Sequence, residues 1–365
     1  MVFSCTLRRY RDGDEQSIIE LLDAALGQRY SLEYWKWKYT RNPAGPPFIW
    51  LAEYDDRIIG HYAFIPIAMK VGNAYVSGSL ACDAAIHPDY QGQGVFSSIV
   101  NRSCLDAGEN GIPITYGFAN TNLGATYRRY ERMGQICLLI RMVRVLDWES
   151  VLARYIHNEC LASATEAVLR KFRRSKYPES TITIEHVDRF DERIDAFWER
   201  ISSSFNVIAR RNQRYLNWRY VDHPEKDYTI YAAMKDRTIL GYCALAREEW
   251  HNLRVGVIVD IIGFQDYRNV VPSLIDRAVN WFEEQDAEAI GSMMSDQHPY
   301  ARLFAKAGFI RYPSRNTALY ATVNLPGSPI DQKEVYSQAL LLSQNRLLKK
   351  KSNWFIMQGD SDFPL

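Results

Sequence analysis

The chain carries one stretch of sequence twice. Displaced by 181 positions, residues 34–63 align with 215–244 without a gap. Ten positions are identical: Tyr34/Tyr215, Trp37/Trp218, Tyr39/Tyr220, Pro43/Pro224, Ile49/Ile230, Ala52/Ala233, Asp55/Asp236, Ile58/Ile239, Gly60/Gly241 and Ala63/Ala244. At average residue usage about two matches are expected. Further on the offset shortens to 177, so that Asp83, Asp89 and Tyr90 face Asp260, Asp266 and Tyr267, and near the end of each copy it is 174, where Met133-Gly134 faces Ala307-Gly308. A period of about 180 residues is far too long for a solenoid repeat, so it marks a domain duplicated in tandem.

The pattern of elements repeats as well. Ile18, Ile19, Leu21, Leu22, Ala25 and Leu26 recur at helical spacing, which predicts a helix over 12–27. Strands are predicted at 48–54 and 58–68 around the turn Asp55-Asp56-Arg57, and an apolar run covers 79–87. A glycine-bearing turn, a helix over Phe96–Ala107, a strand at Ile114–Phe118, a helix over 122–133 and a strand at Ile136–Leu146 follow, and the order recurs between 182 and 325. The fold class is α/β (α+β), and the expected organisation is a first domain 1–147, a connecting helical segment 148–181, a second domain 182–326, and a C-terminal helix and tail 327–365. Residues 331–351 read as an amphipathic helix and Trp354-Phe355-Ile356-Met357 as an apolar segment that docks like a strand.

Charge narrows the function classes. Lys and Arg total 44 against 43 Asp and Glu, a net charge of +1, which argues against a broad nucleic-acid surface. The six cysteines are scattered without C-x-x-C spacing, which fits buried thiols in a reducing compartment rather than a metal or disulfide site. The N-terminus is too polar for a signal peptide, and no apolar run approaches the ~20 residues of a membrane helix. A cytoplasmic protein with no metal, nucleic-acid or membrane partner is expected.

The sharpest local feature is Ile86-His87-Pro88-Asp89-Tyr90-Gln91-Gly92-Gln93-Gly94-Val95-Phe96-Ser97-Ser98. It runs from an apolar strand through a glycine-bearing turn into a helix. The unpaired N–H groups of such a turn and of a helix's first turn form an anion cradle, suited to a phosphate or pyrophosphate. Gly92 and Gly94 permit positive φ and close approach, and Ser97 and Ser98 add hydroxyl donors. No Gly-Lys-Ser/Thr follows, so this is not a P-loop, and the third glycine of a dinucleotide fingerprint is missing.

This loop, in this order of elements, resembles the GNAT superfamily of acyl-CoA N-acyltransferases, whose R/Q-x-x-G-x-G/A loop grips the CoA pyrophosphate. Gln91-Gly92-Gln93-Gly94 supplies the first four positions. Phe96 stands where the family has Gly or Ala, which is expected to narrow the space beside the pyrophosphate, although a branch of large bacterial members resembles this chain there. Trp37-Lys38-Tyr39 followed by Pro43 resembles the W-[KR]-Y-x-x-x-P feature of large bacterial members linked to surface polysaccharide synthesis. Asn122-Leu123-Gly124-Ala125 and Tyr130-Glu131-Arg132-Met133-Gly134 resemble the family's second CoA motif, with one extra residue between the two parts. The resemblance covers nearly all of 5–146 and, more weakly, 182–325. It implies two tandem GNAT-fold domains, each a mixed, mostly antiparallel sheet flanked by helices, with acetyl-CoA as cofactor and a small-molecule amine as acceptor, an amino sugar being the preferred class; a homodimer is the assembly left open.

The same resemblance implies site residues. The acyl-pantetheine arm would pair with the strand Cys82–Ile86 through the backbone of Ala84, Ala85 and Ile86, and Gln91, Gly92, Gln93, Gly94, Val95, Phe96 and Ser97 would hold the pyrophosphate. Asn122 would bind pantetheine amides or cap a helix, as would Asn120. Tyr130 is the implied acid for the CoA thiolate, with Tyr127 one turn earlier as its rival. Asp83 is the general-base candidate, burial being expected to raise its pKa toward a useful range; the counter-reading is a structural acid, because Asp260 stands at the same place in the other copy. His87 and His61 are weaker candidates, and Cys82 reads as a small core residue.

The second copy acts as a control. Opposite Gln91–Phe96 it has Arg268-Asn269-Val270-Val271-Pro272-Ser273, where β-branched residues resist positive φ and proline removes a donor. One CoA site, in the first domain, is therefore expected, with the second domain bracing the acceptor site. Trp37 and Trp218 are expected to anchor each copy's helical region against its own sheet. Two other functions are open: a Fem-type aminoacyltransferase, against which the low net charge and CoA-like loop count, and a non-catalytic acyl-CoA sensor.

Overall fold

A computed structural model describes residues 4–110, 112–119, 124, 134–155, 182–250, 252–323 and 346–361. In the first unit β1 (Thr6–Arg9) leads to helix α1 (Glu15–Leu26), whose Ile18, Leu21 and Leu22 are buried, and to α2 (Leu32–Tyr39), started by the Ser31 side chain accepting the Tyr34 N–H. β2 (Phe48–Tyr54) and β3 (Arg57–Val71) form a hairpin whose turn residues Asp55 and Asp56 take positive φ, as aspartates tolerate. β4 (Ala74–Ile86), α3 (Val95–Glu109), β5 (Ile114–Ala119) and β6 (Gly134–Val145) complete it.

A short helix α4 (Trp148–Tyr155) follows, and the rest of the expected connecting segment, like most of 331–351 and the helix expected over 122–133, lies outside the described residues. The second unit repeats the order: β7 (Thr183–His186), α5 (Glu192–Ile201), β8 (Val207–Ala209), α6 (Gln213–Leu216) running into a π-helical turn (Asn217–Val221), β9 (Thr229–Lys235), β10 (Thr238–Trp250), β11 (Leu253–Gly263), α7 (Val270–Glu284), β12 (Ala289–Ser295), α8 (Ala301–Lys306) and β13 (Ile310–Val323). The β9–β10 turn again uses positive φ, at Asp236 and Arg237.

The two units do not keep separate sheets. The strand order is β1-β2-β3-β4-β5-β13-β6-β12-β11-β10-β9-β7, one continuous mixed sheet in which each unit's last strand crosses into the other. β13 pairs with β5 (Ala318 opposite Ala119, Val323 opposite Ile114), and β6 pairs with β12 (Val145 opposite Ala289, Leu139 opposite Ser295). The sequence boundary near residue 147 is thus not a boundary in space. In the first unit α1 and α2 cover one face of the sheet over Ala63, Ile65, Leu80 and Cys82, and α3 covers the other over Tyr62, Phe64 and Ala81.

Trp37 and Trp218 do not each pack on their own sheet as expected. Their rings stack on one another, 4.9 Å apart and 17° from parallel, and each indole N–H donates to the other's carbonyl oxygen (2.8 and 2.9 Å). Equivalent residues of a duplication meet in this reciprocal way only where the pseudo-two-fold axis passes between them.

The apolar tail docks as expected. Trp354 forms a parallel bridge with Val207, Phe355 donates its N–H to Val207 O (2.9 Å), and Met357 bridges Met294. Trp354 is 1% exposed, and its Nε1 donates to Leu348 O (2.7 Å). Trp354→Ala is expected to cost about 3–5 kcal/mol, the usual range for emptying a buried tryptophan site. Urea unfolding measures this, and a loss below about 1 kcal/mol would show the tail to be a loose appendage. Among the described residues no helix is long and apolar enough to cross a membrane.

Candidate functional site

β4 and β5 run parallel but pair only from Gly78–Ile114 to Ala81–Gly117. Among the described residues β4 then continues to Ile86 against β3 alone, with Ala85 opposite His61 and Ile86 opposite Gly60. Beyond Ala81 the two strands splay, and the edge of β4 that carries Ala84, Ala85 and Ile86 faces the gap. A β-bulge in the β3–β4 register falls at the same point, and its centre is Asp83, a non-glycine residue with φ of 48°.

The loop after β4 keeps its main chain bare. Gly92 and Gly94 have φ of 74° and 85°, and a Cβ built on either would meet nothing within 4 Å. Gly94 is the N-cap of α3, and Ser98 is the first residue of that helix whose N–H finds a main-chain acceptor (Gly94 O, 3.2 Å). The preceding N–H groups of the first turn are left toward the open side, where a helix terminus attracts anions. Two expectations are corrected here. The Ser97 and Ser98 hydroxyls donate to Gly94 O (2.9 and 3.1 Å), so they shape the turn instead of facing outward as donors. Phe96 does not narrow the loop, because its ring packs inward, 6.3 Å from Tyr62. The Gln91 and Gln93 amides donate to Ile86 O (3.1 Å) and Asp89 O (3.0 Å), bracing the loop from behind. An open, glycine-lined cradle at a helix start fits the CoA pyrophosphate.

Asp83 is buried in a polar knot. Lys38 Nζ lies 2.8 Å from its Oδ2, the Tyr39 hydroxyl donates to the same oxygen, and the Tyr30 hydroxyl donates to Oδ1 (3.0 Å). The His61 Nδ1–H donates to the Asp83 carbonyl (2.7 Å). Burial pushes the Asp83 pKa up, as expected, but the Lys38 charge, His61 and the hydrogen bonds from Lys38 and Tyr39 outweigh it and hold the carboxyl below the usual range. The expected rise is therefore corrected to a fall. Burial lowers the pKa of His61, which is neutral and turned into this knot. His87 caps the Pro88–Tyr90 turn instead of facing the gap, and Cys82 is a buried core residue. Tyr130, Tyr127, Asn120 and Asn122 lie outside the described residues.

On the α1–α2 face, beside this knot, a cavity of about 340 Å³ opens between the units. Tyr30, Tyr34 and Trp37 contribute from one unit and Tyr215, Trp218 and Tyr228 from the other, above a floor that includes Ile65 and Leu80. Tyr30 and Lys38 line it; Asp83 does not, and reaches it only through them. The sequence reading missed Lys38, Tyr30 and Tyr39. A lone acid in an apolar strand calls for a buried cation, and the aromatic stretch Tyr34–Tyr39 offers two, Lys36 and Lys38.

The second unit has the same splay but no vacancy. β11 and β12 pair only from Val255–Ala289 to Val257–Gly291. Beyond that point the tail enters: Ile356 O accepts the Ser295 N–H (3.3 Å), Met357 bridges Met294, and Gly359 lies against Val259. Asp260 pairs with Arg211 (3.0 Å), which also holds Asp360 (2.9 Å). Val270 and Val271 start α7 as buried residues packed on Gly263. No glycine cradle exists there, and the tail fills the gap between the strands.

Residues 6–135 match the family model of the acetyltransferase (GNAT) domain. Among solved structures, the chain is similar to a GCN5-related N-acetyltransferase from Anabaena variabilis ATCC 29413, at 12% identity and a TM-score of 0.62, covering 88% of this chain and 73% of that one. It is also similar to a conserved protein of unknown function from Enterococcus faecalis V583, described as a probable N-acyltransferase, at 11% identity and a TM-score of 0.64 with the same coverages. At such identities the likeness speaks for the fold. No curated protein sequence matches the chain.

Proposed function

We propose that this chain, whose residues 6–135 form an acetyltransferase (GNAT) domain, moves an acetyl group from CoA to a primary amine held in the cavity between its two units. What supports the reading is a single alignment of features: one strand, β4, ends in the bare loop, carries the free edge beyond Ala81 and borders the cavity on its α1–α2 face. Acetyl-CoA supplies the activated thioester. The main-chain N–H groups of Gly92–Phe96 hold its pyrophosphate, and the free edge at Ala84–Ile86 pairs with its arm, one N–H there polarising the acyl carbonyl. The aromatic walls exclude water and orient the amine, and the Tyr30 hydroxyl is the polar group through which the cavity meets Asp83.

Asp83 enters as a positioning residue. A carboxylate already neutralised by Lys38 and Tyr39 is a weak base, but it fixes the bulge that parts β4 from β5. The amine then loses its proton to solvent at the cavity mouth, and Tyr130 is the proposed acid for the departing thiolate. The second unit, its own gap closed by the tail, completes the acceptor cavity.

The test is thiol release from acetyl-CoA with a panel of primary amines, the products followed by mass spectrometry. Acetylated amine and stoichiometric free CoA are expected. Acetyl-CoA that binds tightly yet is never consumed would mark a sensor instead, and transfer only from aminoacyl-tRNA would mark the Fem-type reaction.

A further inference from the structure

The duplication gives Arg219 an unusual history. Arg219 is the counterpart of Lys38, and Asp260 is the counterpart of Asp83. In the first unit the pair is closed: Lys38 holds Asp83 at 2.8 Å. In the second unit it is not. Asp260 is taken by Arg211, the counterpart of Tyr30, with the Tyr242 hydroxyl donating to the same carboxylate (2.7 Å). Arg219 has been displaced to the wall of the cavity, where Nε and Nη2 donate to Gly359 O (3.2 Å) and Ser361 O (3.1 Å). Among the described residues it meets no carboxylate within ion-pair distance.

The other cations of the cavity are committed. Lys38 holds Asp83, and Lys226 holds Glu248 (3.1 Å). Of the two acids that line the cavity, Glu225 accepts the Ser31 hydroxyl (2.5 Å) and Asp360 is held by Arg211 (2.9 Å). Beside Arg219 lies His223, whose ring packs 4.2 Å from Trp37. Its Nδ1 accepts the N–H groups of Glu225 (3.2 Å) and Lys226 (3.1 Å), so the ring hydrogen sits on Nε2, as a neutral donor. The Arg219 guanidinium also lies over the Trp37 and Tyr220 rings (5.9 and 5.8 Å), contacts that hold it in place but supply no negative charge, so among the described residues the counter-charge is left for a ligand to bring. The guanidinium fork matches carboxylate and phosphate oxygens in pairs.

We infer that the acceptor is an amine that also carries an anionic group, carboxylate or phosphate, bound by Arg219 with His223 beside it. The inference rests on the acyl-transfer reading for the amine, but the anion site is readable without turnover. The two are therefore tested in separate arms.

The first arm is calorimetric titration of CoA-saturated protein, in which the pyrophosphate loop is already filled. Glucosamine is compared with glucosamine 6-phosphate, and phenylalaninamide with phenylalanine. At least one anionic member is expected to bind about tenfold or more tighter than its neutral partner, one bidentate charge-assisted contact being of that order. The identity of the better pair distinguishes phosphate from carboxylate. Arg219→Met is expected to erase the preference, and Arg219→Lys to keep part of it, with CoA affinity unchanged in both. The Lys variant guards against Arg219 acting only as a clamp on the tail, because a clamp lost in both variants lowers stability without altering the ratio between paired ligands. Equal binding within both pairs, or a preference that survives Arg219→Met, overturns the inference. The second arm is turnover of the same amines: anion-selective binding with no acetylated product keeps the anion site and removes the acyl-transfer reading.

Discussion

Gly94→Val is expected to abolish the rise in melting temperature that acetyl-CoA gives the wild-type protein, and to weaken acetyl-CoA binding by about 100-fold or more. Gly94 caps α3 with φ of 85°, where a β-branched residue is strained by roughly 1–2 kcal/mol. Relief of that strain rotates the first-turn N–H groups away from the cradle. Losing two hydrogen bonds to a charged group, at about 1.5–3 kcal/mol each, accounts for the hundredfold. The Cβ meets no neighbour, so the folded protein itself survives the change. The control is Val271→Ala at the corresponding place in the second unit, a buried position whose loss lowers stability and leaves acetyl-CoA binding alone. Wild-type affinity in Gly94→Val, or a collapse of affinity in Val271→Ala, would mean the cradle has been placed in the wrong unit.

Lys38→Met is expected to destabilise the protein by about 3–5 kcal/mol at neutral pH, because it leaves the Asp83 carboxylate buried without its cation. The pH dependence carries a sign that can be checked. The folded-state pKa of Asp83 lies below its unfolded value, so its contribution is present above about pH 4 and is lost as pH falls through the folded value. Lys38 is held well above its ordinary value by Asp83, burial notwithstanding, so its contribution is present below about pH 10 and is lost as pH rises through the folded value. Between these limits the pair is intact. In Lys38→Met the Asp83 pKa climbs, and the deficit relative to wild type shrinks toward acid pH. The double variant Lys38→Met/Asp83→Leu is expected to recover most of the loss, since paired apolar replacement of a buried ion pair is often near neutral. Urea unfolding from pH 3 to 9 measures all of this. A deficit that is constant with pH would exclude Asp83 as its origin.

Much of the fold was legible because its signals are local. The Asp55-Asp56 turn, the helical spacing of Ile18–Leu26 and the Gln91–Gly94 turn each state their geometry within a few residues, and the 181-residue offset showed that the plan is used twice. The exchange of last strands was not legible. The apolar residues of β6 and β13 can be buried whether the strands close their own unit or the other one, and register with β5 or β12 is a long-range choice. The site divides in the same way. The cradle follows from glycines in sequence, whereas the Lys38–Asp83 pair joins residues 45 apart, and the tail's entry between β11 and β12 joins residues about 60–100 apart. The stacking of Trp37 on Trp218 is hidden in the sequence for a related reason: identical residues in two copies suggest the same job done separately, whereas a dyad makes them one contact.

The crossed strands also set the order in which the protein can be finished. β5 is synthesised about 200 residues before β13, its partner in the completed sheet, and in that interval β6 is the nearest strand able to cover the same edge. A nascent first half that zips β6 onto β5 has satisfied its hydrogen bonds with the wrong neighbour, and must open again before β13 can be threaded between them. Such a chain pays for its seamless sheet with a delay: refolding from denaturant should show a slow step set by strand replacement, and ribosomes that stall before residue 310 release a product whose central edge is mispaired or bare.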